Sequence, residues 1–203
     1  MSNDDIDYFS YDSSSENYHE HGQSLTSHIH EDQRLSDEKE RQEEERIYNE
    51  TYGPFNRQVE RWRTTNDPNT TFCIVKIINN TAHDFKLTQI SRRTTDAERH
   101  ALNIPSKMPK ALLLTYKYDN PYRPGNKENT LKTKFEHFVN YAGETTEIKI
   151  DIGLTVTGYR GAYRYQHLHN VVSTGKTHVR CKSEITYWND RGPYDFEVLI
   201  TLD

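Results

Sequence analysis

The sequence predicts a mainly β protein: an antiparallel β-sandwich of about seven strands, with an acidic, largely disordered or arm-like N-terminal segment and one or two short helices. Three observations predict it. Apolar residues recur with a period of two in runs after Thr70, turn residues separate those runs, and apolar residues are sparse before Glu50. At 33% hydrophobic residues in 203, one core cannot run through the whole chain. The economical division is an acidic arm over 1–52, disordered and then helical over 36–52, and a β-sandwich domain over 53–203 with a short amphipathic entry segment.

Residues 1–32 are rich in Asp, Glu, Ser, His and Tyr without an apolar period. Such a segment buries too little surface to offset the entropy of ordering, so disorder is expected there. From Ser36 a helix follows: Ser36 offers an N-cap, Asp37, Glu38 and Glu40 crowd the first turn, and acid-to-Arg spacings of three and four residues add about 0.3 kcal/mol each. Gly53 and Pro54 are expected to break it. Phe55, Val59 and Trp62, at i, i+4 and i+7, then form an amphipathic stretch that docks one face on the body.

Phe72–Ile78 is apolar on both faces and reads as a central strand, followed by a turn at Asn79, Asn80 and Thr81. Asp84–Ile90 is the next strand, Thr95–Asn103 a short helical turn, Lys110–Tyr118 another strand, and Asn120–Asn126 a loop dense in turn residues. Thr130–Tyr141 is again a strand. Over Glu147–Thr157, Ile148, Ile150, Ile152, Leu154 and Val156 face one way against a polar opposite face. Val179, Cys181, Ser183, Ile185 and Tyr187 alternate, Asn189–Pro193 turns, and Tyr194, Phe196, Val198, Ile200 and Leu202 return, which predicts a hairpin.

Charge is split along the chain. Residues 1–50 carry fifteen acidic side chains against four basic, and 51–203 carry sixteen against twenty-two, so the net −5 combines an arm of −11 with a body of +6. A basic body tethered to an acidic arm implies a polyanionic partner or a regulated self-contact. The candidate binding surface is the segment between the predicted strands that carries Tyr159, Arg160, Tyr163, Arg164, Tyr165, His167 and His169, with Tyr122 and Arg123 on the proline-rich loop. Flat rings and guanidinium forks on loops stack on bases or sugars and clamp phosphates; the plainer alternative is an irregular edge strand whose tyrosines cover the rim of the core.

The same residues argue against several classes. There is no nucleophile elbow, phosphate-binding loop, dinucleotide turn or zinc-protease helix, so no catalytic residues are expected. The pairs His19/His21, His28/His30 and His167/His169 complete no four-ligand set, so no metal and no cofactor are expected. No apolar run is long enough to span a bilayer, and the first residues lack a secretory pattern, so a cytoplasmic location is expected, with Cys73 and Cys181 as buried free thiols.

The reading is a non-enzymatic structural or assembly protein. Its basic β domain would bind an anionic membrane surface or nucleoprotein and self-associate as a homo-oligomer, with the acidic arm regulating or bridging subunits. That is the physical form of a viral matrix or capsid shell, or of a self-assembling crystal or storage protein. The alternative is a carbohydrate- or lipid-binding sandwich of lectin or pore-forming type, with Tyr159, Tyr163, Tyr165 and Trp188 stacking on a glycan or lying among headgroups.

Overall fold

The structure, a computed structural model, describes residues 18–65, 67–117, 130–159, 162–191 and 193–203; side chains are described for these except 18–29, 32, 130–133, 158, 159, 162 and 163. The chain divides into two units, residues up to Tyr48 and Asn49–Asp203.

Helix α1 runs Tyr18–Arg63 with Pro54 inside it. Two expectations change here. Residues 18–32, read from sequence as disordered, are helical, and Gly53 and Pro54 do not end the helix; residues 1–17 lie outside the described residues. Proline removes one N–H and crowds the carbonyl four residues back, a cost of about 3 kcal/mol. Two effects offset it, one local and one tertiary. Before the proline, exposed i,i+3 pairs brace the helix: Arg41 donates to Glu38 at 3.2 and 2.7 Å, and Arg46 to Glu43 at 2.9 and 2.5 Å. After it, Val59 is buried against Ile74 and Ala111, with Phe55, Trp62 and Leu113 packed around them. The predicted amphipathic stretch therefore docks as expected, as the last turns of one helix.

Among its described residues the second unit holds eight strands, β1 Thr70–Asn79, β2 Lys86–Ile90, β3 Pro109–Lys117, β4 Thr130–Ala142, β5 Thr146–Tyr159, β6 Ala162–Gly175, β7 Cys181–Trp188 and β8 Phe196–Leu202, and the short helix α2, Asp96–Ala101. They form two four-stranded sheets, ordered β3-β1-β8-β7 and β2-β4-β5-β6. β1 lies centrally, as its two apolar faces predict. The pairing is not wholly antiparallel, however: β1 runs parallel to β8, with Cys73 opposite Phe196 and Ile77 opposite Ile200. The last strand of the chain inserts between β1 and its own hairpin partner β7, so the earliest and latest strands share the centre of one sheet.

Period-two burial builds one core from both sheets. Cys73, Val75 and Ile77 of β1, Val198, Ile200 and Leu202 of β8, and Ile148, Ile150, Ile152, Leu154 and Val156 of β5 belong to a single buried cluster. Asn79 ends β1 by holding the crossover: its side-chain amide donates to the carbonyls of His83 and Pro105, each at 2.8 Å, and its oxygen accepts from the Thr81 hydroxyl at 2.7 Å. Helix α2 starts at a capping box, in which Thr95 and Glu98 exchange side chain-to-backbone bonds at 2.9 and 3.2 Å. The eighth strand is β6, in the segment expected to be a loop. It pairs with β5 from Tyr159–Ala162 to Thr146–Gly175 and forms the edge of its sheet.

Candidate functional site

Strand alternation and one irregularity build a groove on the outer face of the β3-β1-β8-β7 sheet. On β8, Phe196, Val198 and Ile200 point into the core, so Glu197 points outward, preceded by Asp195. On β1, Phe72 and Ile74 share that outward face. The register between β7 and β8 slips between Ile185 and Tyr187, so Tyr187 stands opposite Glu197 and Trp188 opposite Phe196. Such a bulge re-aims side chains. Tyr187, expected to continue the alternation of Ile185, is turned outward instead. It is half exposed beside Glu197. Trp62 and Arg63 at the end of α1 form the opposite wall, enclosing a cavity of about 360 Å³.

The electrostatics of this groove are set by Glu197, whose side chain is only 3% exposed. Arg63 Nε donates to its Oε1 at 2.5 Å and Arg63 Nη2 to its Oε2 at 2.7 Å, while Lys76 Nζ donates to Oε2 at 2.8 Å. Burial alone would raise the Glu197 pKa; the bonds from Arg63 and Lys76 outweigh it and hold the carboxyl below its ordinary range. Asp195 has no such cation. Burial pushes its pKa up, against the opposing effect of a 2.7 Å bond from the Phe72 N–H. The groove thus has aromatic walls, one ionised carboxylate locked by two cations, and one carboxylate with acceptor capacity to spare.

The sequence-predicted residues lie elsewhere. Tyr165, His167 and His169 are half-buried along the seam between β6 and β7 instead of forming an exposed loop. Tyr165 donates its hydroxyl to the Asp190 carbonyl at 2.5 Å and packs near Tyr194 and Trp188, with ring centroids 5.4 and 5.8 Å away. His167 lies 4.9 Å from Phe196, and burial followed by the His169 charge lowers its pKa. His169 Nδ1 is 3.1 Å from Ser183 Oγ, which donates to the His169 carbonyl. Arg164 is exposed on the same strand. Tyr159 and Tyr163 are placed beside the β5–β6 turn by their backbone alone, and Arg160, Tyr122 and Arg123 lie outside the described residues. β6 is the edge strand of its sheet, and Tyr165 packs against the rim of the core.

Other reactive groups are placed where they do little chemistry. Cys73 is buried and burial pushes its thiol pKa well up; Cys181, expected to be buried, is half-buried and also raised by burial. Ser91 Oγ and His137 Nδ1 are 2.7 Å apart, but among the described residues no carboxylate pairs with that imidazole. Also among the described residues, no cluster of three metal-ligating side chains occurs and no helix is long and apolar enough to cross a membrane.

No protein-family model matches the chain, and no curated protein matches its sequence. Asp195, Glu197 and Tyr187 were missed by sequence reasoning. The available signal was Glu197 itself, an acid between Phe196 and Val198 in a strand that is otherwise apolar on alternate positions. Such an acid is rarely buried unless paired.

Proposed function

We propose that this chain is a non-enzymatic binding protein, a β-sandwich whose groove between the end of α1 and β7/β8 takes a carbohydrate. The observation that carries the reading is the groove's composition: the rings of Trp62, Phe72 and Tyr187 beside Asp195 and the Arg63–Glu197 pair, around a volume of about 360 Å³. That volume is within the usual range of small-molecule sites, about 300–1,000 Å³. Rings stack on the apolar face of a sugar, and carboxylates accept from its hydroxyls. A catalytic role for the acid pair fits poorly, because both Glu197 oxygens are engaged by cations. Sandwich packing is supported by the single core that the two sheets share. Free thiols at Cys73 and Cys181 suit a reducing cytosol.

Glycan-array screening of the full chain, followed by titration of a hit, tests this. The expected result is binding that persists at high salt and weakens at least about tenfold in Tyr187→Ala, equivalent to about 1.4 kcal/mol. Tyr187 is half exposed, so its replacement is expected to leave the fold intact. Absence of any glycan ligand, or binding indifferent to Tyr187, overturns the reading.

A second reading is assembly, with attachment to an anionic membrane or nucleoprotein surface and the acidic helix bridging or shielding subunits. It is favoured by residues 33–50, which are exposed throughout their helix and dominated by acids. A helix polar on all sides is braced by ion pairs or by a partner. It stands second because basic residues on the body alternate with acids, as in Lys134 with Glu136 at 2.8 Å and Lys182 with Glu184 at 3.5 Å. A solution mass that stays monomeric at low and high salt, with and without residues 1–48, overturns it.

A further inference from the structure

Trp62 also lines a second cavity, of about 170 Å³, together with Gln58 of α1, Arg92 after β2, Glu98 and Leu102 around α2, and Lys110 of β3. Its charges do not balance. Glu98 is the one acid beside two cations, and its carboxylate is already committed: Oε2 accepts the Thr95 N–H at 2.9 Å, and Oε1 forms a long ion pair with Arg92 Nη1 at 3.7 Å. Arg92 Nε is buried and has no hydrogen-bond partner. Lys110 is half-buried, and among the described residues its ammonium has no ion-pair or hydrogen-bond partner. Lys110 is drawn from water without a counter-charge and Arg92 has, among the same residues, only its 3.7 Å ion pair with Glu98, so the cavity between the two cations favours a further anion. Its volume is several times the ~30 Å³ that a water occupies in the liquid, enough for a tetrahedral oxyanion.

We propose that this cavity binds a phosphate or sulfate group, held by the Lys110 ammonium and the Arg92 guanidinium with the Gln58 amide at its rim. The tetrahedral oxyanion suits this donor set because a planar fork and a rotatable ammonium together reach several oxygens at once. Glu98 stays on Thr95, where it caps α2, and the incoming anion replaces it as the nearest negative charge to Arg92. Burial lowers the Lys110 pKa, and a bound anion reverses that shift. Binding therefore takes up a proton where Lys110 is partly neutral, and affinity falls as pH rises through its depressed pKa. The site shares Trp62 with the aromatic groove but none of its charged residues.

The test uses the full chain with inorganic phosphate and inorganic sulfate, measured by titration and by thermal unfolding against chloride at equal ionic strength. Both anions raise the melting temperature of many proteins by exclusion from the surface, so the informative quantity is the difference between wild type and variants in the same salt. Expected are a phosphate Kd weakened about tenfold or more in Lys110→Met and in Arg92→Gln, tenfold being about 1.4 kcal/mol, and an unchanged Kd in Arg93→Gln. The phosphate-specific gain in melting temperature disappears in the same two variants, while Lys110→Met without phosphate is as stable as wild type or more so. Phosphatidylcholine vesicles with and without phosphatidic acid identify the source: Lys110-dependent capture of the acidic vesicles assigns a lipid headgroup, and phosphate binding without capture assigns a soluble ligand. Equal melting-temperature gains in wild type and both variants, or phosphate affinity indifferent to Lys110 and Arg92, overturn the proposal. Should Lys110→Met fail to fold, the Arg92→Gln titration decides alone.

Discussion

The outer faces of the two sheets are both laid out by strand alternation, yet they handle charge in opposite ways. On the β3-β1-β8-β7 sheet, the end of α1 covers Ile74 and Ala111, and Glu197 beside them is sealed against Arg63 and Lys76. On the β2-β4-β5-β6 sheet, Phe138, Leu168 and Val172 are exposed, and Lys134 and Glu136 form a pair with each side chain 54% exposed. The lesson is that an ion pair takes its value from its cover. Breaking a buried pair leaves an uncompensated charge, whereas an exposed pair is replaced by water.

The largest effect that can break this comparison is expected at Glu197. Glu197→Gln leaves Arg63 and Lys76 facing a neutral amide and should cost about 3 kcal/mol, the low end for a buried pair because Arg63 is itself partly in solvent. Urea denaturation near neutral pH measures it, and a loss below 1 kcal/mol would erase the distinction between the faces. Acid titration sharpens the test. Glu197 has a lowered native pKa, so its stabilisation is present above the unfolded Glu value, about 4.3, and is lost as pH falls through the native one. Asp195 has a raised native pKa, so its destabilising effect is present at neutral pH and is relieved as pH falls through that raised value. The two act in opposite directions on one outward face. Glu197→Gln should therefore flatten the acid-induced loss of stability, and Asp195→Asn should steepen it.

A smaller effect is expected on the bare face, at Gly153. A Cβ built there would meet the Phe135 carbonyl oxygen at 2.7 Å and Glu136 Cγ at 3.2 Å. The glutamate stem can move; the β4 backbone cannot without disturbing its ladder with β5. Gly153→Ala should thus destabilise by about 1–2 kcal/mol, although alanine is otherwise the better strand residue. Thermal unfolding checks the sign, and a stabilised variant would show that this sheet is looser than its register implies.

These contrasts also mark what was legible in the sequence. β5 could be read because aliphatic residues repeat at every second position, β1 because its short run is apolar on both faces, and the β7–β8 hairpin because turn residues separate two alternating runs. β6 was not, because its inward residues are Tyr165, His167 and His169, which alternate correctly but with polar-tipped rings that half-bury against β7. The helix through Pro54 was illegible because tertiary docking at Val59 overrides a local breaker. The groove was hidden for two reasons. The partners of Glu197 lie 134 and 121 residues away, and the slip after Ile185 that brings Tyr187 alongside is a one-residue change no periodicity announces.

The smallest expected effect is the counterpart of the first. Lys134 and Glu136 sit two apart on β4, on the same face, with Nζ and Oε1 2.8 Å apart, as close as Lys76 is to Glu197. If distance set the energy, the two lysine–glutamate pairs would match. Cover sets it instead, because water competes for both exposed groups and ordering two long side chains costs entropy that the contact barely returns. A double-mutant cycle with Lys134→Ala and Glu136→Ala should give a coupling of about 0.5 kcal/mol or less, shrinking further at high salt. A coupling above about 1 kcal/mol, of the size measured for well-covered pairs, would mean that something covers this sheet in solution.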